Sequence, residues 1–128
     1  MREIEFRGKP IDTNRDGEWV YGGILLVGTM CHIAYTGDKG KFDQRLTEVN
    51  LKTVGQYTGL KDRHGAKIFD GDILQDEDKR LGIVEFNKGR FVGDFDGRTY
   101  YYELYLDAET SEVIGNKHDN PELLEADA

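Results

Sequence analysis

The sequence predicts a mainly β protein: an N-terminal β-rich part over residues 1–66, an SH3-like small barrel over 67–118, and a short helix with an acidic tail over 119–128. Two observations carry this. Sixteen glycines stand against two prolines, and they separate short runs rich in β-branched and aromatic residues, the pattern of many short strands joined by turns. Helical periodicity is weak throughout. At 128 residues the chain makes one domain, or two small subdomains sharing a core, and buries enough surface to fold without staples.

The elements follow in order. Ile4-Glu5-Phe6-Arg7 alternates as a half-buried strand does, and Gly8 and Pro10 close it. Asp12 to Gly17 is a dense turn cluster. Glu18 to Tyr21 is a strand, Gly22-Gly23 a break, and Ile24 to Val27 a second strand that pairs across Gly28-Thr29 with Met30 to Tyr35. Thr36 to Lys41 is a polar loop, and Asp43 to Glu48 is the best helical candidate. Val49, Leu51 and Thr53 share one face of a short strand. Asp70-Gly71-Asp72 turns into Ile73-Leu74, and Gln75 to Arg80 forms a charged hairpin tip. Leu81 to Phe86 returns, Asn87-Lys88-Gly89 turns tightly, and Asp96-Gly97 signals another hairpin into Thr99 to Leu106. Glu112 to Asn116 is the last strand. Five strongly bent strands in about fifty residues, cornered by glycine, are what a small barrel needs. Asn120 as N-cap, Pro121 at the first helical position and acids behind it start the terminal helix.

Charge narrows the function classes. The net charge is -8, from 25 acids and 17 bases, which opposes the counterion release on which nucleic-acid binding depends. The first 50 residues are nearly neutral, with 8 acids and 7 bases, so the acidity belongs to the second half. One cysteine, Cys31, excludes an internal disulfide and a thiolate metal cluster. Met1 to Glu5 has the alternating charge of a mature chain rather than a signal peptide, and Ile24 to Val27 is too short to span a bilayer. The expectation is a soluble, cytoplasmic protein, with no membrane and no nucleic-acid partner.

Candidate chemistry is sparse. Asp12-x-Asn14-x-Asp16-Gly17 matches the opening of a calcium loop, but Gly23 occupies the place of the closing bidentate glutamate. A weak calcium candidate remains, and an Asx-rich turn is the plainer reading. Asp70, Asp72, Asp76, Glu77 and Asp78 read as solvated turn charges. Ser111 lacks a nucleophile elbow, Cys31 reads as a buried, inert thiol, and His64 and His118 stand alone. No glycine loop has phosphate-cradling spacing. No cofactor is expected. Tyr101 and Tyr105, on the face away from the predicted core, suit a protein interface.

One stretch is dense in backbone-specifying residues: Thr53-Val54-Gly55-Gln56-Tyr57-Thr58-Gly59-Leu60-Lys61-Asp62-x-x-Gly65, then Ile68-Phe69-x-Gly71-Asp72-Ile73. With Phe6-Arg7-Gly8-Lys9 and Trp19-Val20-Tyr21-Gly22 before it, and Val113-Ile114-Gly115-Asn116 and Asn120 to Leu124 after it, the stretch resembles the signature of the YopX family, carried by phages and prophages. The resemblance implies a β-rich fold with an SH3-type barrel in the C-terminal half. It implies no activity, because that family has no established enzymatic role or ligand. The chain departs from the pattern in a longer Asp12–Asp16 turn and over Met30 to Phe42.

Within the signature, Gly55, Gly59, Gly65 and Gly71 read as corners. Gln56, Tyr57, Thr58, Lys61 and Asp62 are candidate binding residues, serving a structural joint or a partner. The function expected is a non-enzymatic phage or prophage module for binding or assembly that associates with itself or with a host or phage protein. The alternatives are an acidic DNA mimic that inhibits a host protein and an enzyme dependent on a divalent metal.

Overall fold

A computed structural model describes residues 3–12, 17–87, 89–95, 102–103 and 108–125. The fold is mainly β, with two antiparallel sheets and one short C-terminal helix. The chain divides into two compact units, Met1–Tyr57 and Thr58–Ala128.

In the first unit β1 (Phe6–Gly8) lies between β2 (Val20–Val27) and the first residues of β5 (Gly55–Lys61). β3 (Met30–Thr36) follows β2, and β4 (Gln44–Glu48) forms the edge. The β2–β3 hairpin closes with Val27 opposite Met30, as its turn residues predict. Three local expectations give way. Asp43 to Glu48, read as helical, contributes the strand β4, whose Arg45 and Leu46 pair with Tyr35 and Ala34. An exposed five-residue segment has too little propensity to resist a strand edge that offers it a complete ladder. The strand expected over Val49 to Thr53 is a bridge from Val49 to Pro10 followed by a 3-10 turn, Leu51–Thr53, whose start is held by the Asn50 side chain accepting from Lys52 N–H.

Gly22-Gly23 does not break β2, which runs through both. Gly22 alone is there for clearance. A Cβ on Gly22 would drive into the backbone carbonyl of Ala34, whereas Gly23 faces open space. One face of this sheet buries Val20, Cys31, Ile33 and Val49, with Phe6, Ile24, Tyr35 and Val54 packed against them. Burial pushes the Cys31 thiol pKa up, in keeping with an inert thiol.

In the second unit β6 (Lys67–Phe69) leads into a five-stranded meander: β7 (Asp72–Gln75), β8 (Leu81–Asn87), β9 (Arg90–Phe95), β10 (Tyr102–Glu103) and β11 (Glu112–Asn116). The order β10-β9-β8-β7-β11 returns the last strand to the side of the first, as in an SH3-like barrel. A 3-10 turn, Ala108–Thr110, precedes β11. The core is Ile68, Leu74, Val84 and Ala108, with Leu60, Phe91 and Val113 against it. Ile114 is the extra residue of a bulge that bends β11 onto β7. The Asp96-Gly97 hairpin and most of Thr99 to Leu106 lie outside the described residues.

Helix α1 (Glu122–Glu125) follows Asn120-Pro121 as predicted. Its entry is fixed differently, however. Asn120 turns its side-chain oxygen back to the N–H of Asn116, and Gly115 must lack a Cβ for that oxygen to approach.

Gly22→Ala is expected to destabilise the first unit by about 1–3 kcal/mol, because backbone rather than a flexible side chain must move. Gly23→Ala, its neighbour in open space, is expected to be close to neutral. Chemical denaturation of the two variants measures the contrast.

Candidate functional site

Two carboxylates of the signature stretch are buried and spent on backbone. Asp62 ends β5 and is 7% exposed. Its Oδ1 accepts the N–H groups of His64 and Ala66 at 2.8 and 2.9 Å, and its Oδ2 accepts Val113 N–H at 2.9 Å. One side chain therefore closes the β5–β6 turn and fastens it to β11. Desolvation pushes this carboxyl pKa up, but the donors from Val113, Ala66 and His64 outweigh it and hold the group below its ordinary value. The neighbouring backbone follows: Arg63 N–H donates to Ser111 C=O at 3.0 Å.

Asp72, read from sequence as a solvated turn charge, is 1% exposed. Its Oδ2 accepts Phe69 N–H at 2.7 Å and closes the β6–β7 turn. Gly71 in that turn adopts φ +95°, which side-chain-bearing residues avoid. Its N–H donates to Val84 C=O, and its C=O accepts from Lys117 N–H. A third turn has the same construction: Asn116 Oδ1 accepts the N–H groups of His118 and Asp119, and its Nδ2 donates to Asp119.

His64 is not alone. Its Nε2 lies 2.7 Å from Glu112 Oε2, and Arg63 donates to the same oxygen at 2.9 Å. Arg63 Nε also points at His64 Nε2, at 3.2 Å. That nitrogen cannot accept from arginine while donating to glutamate, and the shorter contact makes it the donor to Glu112. The Arg63 and His64 hydrogen bonds hold the Glu112 carboxyl pKa below its usual value. Glu112 thus joins the turn to β11 at the surface, beside the buried Asp62 staple. The Ser111 side chain is fully buried and its Oγ has no hydrogen-bond partner. Among the described residues no group of His, Cys, Asp and Glu has the geometry of a metal site.

The remaining sequence candidates are dispersed. Gln56 is half-buried opposite Phe6, and Tyr57 is buried, its N–H donating to Glu5 C=O. Thr58 Oγ1 donates to Ile68 C=O and accepts Leu60 N–H. Lys61 is exposed. Gly55 is extended within β5 rather than a corner, while Gly59, Gly65 and Gly71 have positive φ. Asp12 is exposed; Asn14, Asp16, Tyr101 and Tyr105 lie outside the described residues.

The sequence profile of the YopX protein family matches residues 13–125. The chain belongs to the YopX family. The crystal structure of protein EF1440 from Enterococcus faecalis has the same fold, with a TM-score of 0.59, 23% identity, and 97% of this chain and 99% of that one covered. No curated protein matches significantly. The YopX signature in this chain is therefore a set of turn staples, in which Asp62, Asp72 and Asn116 serve backbone donors.

One surface was not foreseen. The face of the first sheet opposite its core carries Leu25, Val27, Met30 and Leu46, each more than two-fifths exposed, with Ala34 between them. Tyr21 and the 90% exposed Phe42 stand beside it. The available signal was Ile24-Leu25-Leu26-Val27, apolar at consecutive rather than alternate positions, which makes both faces of a strand apolar.

Asp62→Asn keeps an oxygen for two donors but turns an NH₂ toward Val113 N–H, and is expected to cost about 1–3 kcal/mol. Because the folded pKa of Asp62 is depressed, its contribution is complete above about pH 4 and is lost as pH falls through the folded value. Denaturation across pH 2–7 is therefore expected to show a smaller wild-type-to-variant difference at the acid end. Ser111→Ala removes a buried hydroxyl without a partner and is expected to be neutral or stabilising by up to about 1 kcal/mol in the same assay.

Proposed function

We propose that this YopX family member is a non-enzymatic binding or assembly module of phage or prophage, acting in the cytoplasm of the bacterial host by associating with further copies of itself. The bare apolar face of the first sheet carries the reading. An antiparallel sheet commonly leaves one face to water, but that face is then polar. Here it carries the exposed Leu25, Val27, Met30 and Leu46 alongside the polar His32 and Glu48, and exposed apolar side chains grouped in this way mark an interaction surface. The free edge of β4 adjoins it, and an unpaired edge is a second route to contact between copies.

Charge favours like partners over nucleic acid. The first 50 residues are almost balanced, at 8 acids and 7 bases, so two copies approach there with little repulsion, whereas phosphate finds no basic surplus. The acids do not support DNA mimicry as well: Asp62 and Asp72 are buried in turn staples and present no carboxylate to a partner. The polar clusters of the second unit lend no support to catalysis either. Asp62, Asp72 and Asn116 are occupied by backbone N–H groups, and the His64–Glu112 pair has no hydroxyl or thiol among its hydrogen-bond partners.

Light scattering on the eluting protein is expected to give a mass that is a multiple of 14.6 kDa. A mass of one chain at high micromolar concentration refutes self-association. Leu46→Asp, at an exposed edge-strand position, is expected to shift the distribution to single chains without changing the thermal unfolding of those chains.

A further inference from the structure

The bare face has a relief as well as a composition. Three rows cross the strands. Gly23, Ala34 and Leu46 are in register, between a row of Leu25, His32 and Glu48 and the residues nearer Tyr21. Gly23 and Ala34 are small, and a Cβ on Gly23 would meet nothing within 4 Å. Two depressions meet over Ala34 to Thr36, one walled by Trp19 to Gly22 and the other by Gln44 to Leu46, with Gly23 at their margin as the cross-strand partner of Ala34. Such a hollow suits one large apolar side chain.

A side chain of that kind stands on the same unit. Phe42 ends the 3-10 turn Gly40–Phe42, 90% exposed, with the Lys41 ammonium 5.2 Å from its ring. The turn beside it is stiffened rather than loose: Asp43 accepts Lys39 N–H and pairs with Arg45, and Gly37 N–H donates to Asp43 C=O. The loop holds an aromatic group out into water, where its apolar surface is unfavourably hydrated.

We propose that the occupant of this hollow is Phe42 of a second copy of this chain, inserted over Ala34, beside Gly23, between Tyr21 and Leu46. The inference rests on the self-association reading above and names its contact. In a two-fold pair the contact is made twice, since each copy offers both the knob and the hollow. Tyr21, Leu25, Val27, Met30 and Leu46 expose on the order of 500 Å² per copy, so a symmetric pair reaches the roughly 1,000 Å² that a specific interface requires. The near-neutral charge of residues 1–50 places no electrostatic penalty on bringing two such faces together. An aromatic anchor in a pocket, ringed by residues that exclude water, is the usual centre of such a contact.

The test uses the full chain, with Phe42 kept in the cross-linking pair. Lys41→Cys and Thr36→Cys are made in separate, differently tagged proteins, mixed, and joined with a short bismaleimide at low micromolar concentration. Cys31 is buried, so wild type supplies the unlinked control. The expected product is the mixed Lys41→Cys/Thr36→Cys adduct, formed in preference to either like pair. Gly23→Leu, which fills the hollow where a side chain has room, and Phe42→Ala are each expected to abolish the mixed adduct and to weaken association by at least about tenfold, with circular dichroism unchanged. If light scattering shows multimers but the mixed adduct is absent or survives Gly23→Leu, the seat is overturned and self-association stands. If the mass is that of one chain and no adduct forms, both are overturned.

Discussion

The second unit depends on one carboxylate. Asp62 takes three backbone N–H groups from two places in the chain, its own turn and β11, so a single buried side chain closes a hairpin and fixes a strand that arrives about fifty residues later. The alternative would leave those donors desolvated and unpaired, which costs more than the charge does. A meander of short strands has few long-range contacts to spare, so the register of its last strand hangs on such staples. Asp72 and Asn116 repeat the device at the next turn and at the entry to α1; Gly71 gives the first its turn, and Gly115 leaves room beside the second for Asn120 to reach the N–H of Asn116.

This is why the most recognisable stretch of the sequence is also the least chemical. Buried aspartates beside glycines have the look of a ligand loop, since both kinds of site present oxygens from a tight turn. The difference lies in what the oxygens face. Asp62 and Asp72 face N–H groups, which fill the acceptor sites a cation would need. His64 and Glu112 sit at the surface of the same construction, where a hydrogen bond and an arginine tie the outer side of the turn to β11.

The strand inventory of the second unit was legible, because Gly-rich corners and alternating runs mark short strands locally: Glu112 to Asn116, the β8–β9 hairpin with Asn87 opposite Arg90, and the Gln75–Arg80 tip all stand where their residues put them. The errors fell where tertiary pairing outweighs propensity. Asp43 to Glu48 had helix-compatible residues but lay beside the open edge of β3. Gly22-Gly23 looked like a break because sequence cannot show that Ala34 C=O presses on the strand there. Asp72 looked solvated because its burial depends on β11 lying beside β7. The bare face has a related cause: Ile24-Leu25-Leu26-Val27 is apolar at every position, and sequence does not show what covers the second face.

The two halves of the chain divide the physical problem between them. A protein with an uncovered apolar sheet face risks indiscriminate aggregation unless something limits the contact. In the proposed assembly shape is one limit: a hollow over Ala34, with Phe42 as its knob, would reward one geometry and leave sliding registers with a void or a clash. Charge is the other. Residues 51–128 hold 17 acids against 10 bases, so each added copy would bring net negative charge while residues 1–50 would bring almost none. Repulsion would grow with assembly size and disfavour open-ended growth, favouring a small closed assembly. If copies associate as proposed, the composition bias that first argued against nucleic acid also bounds the size of the assembly.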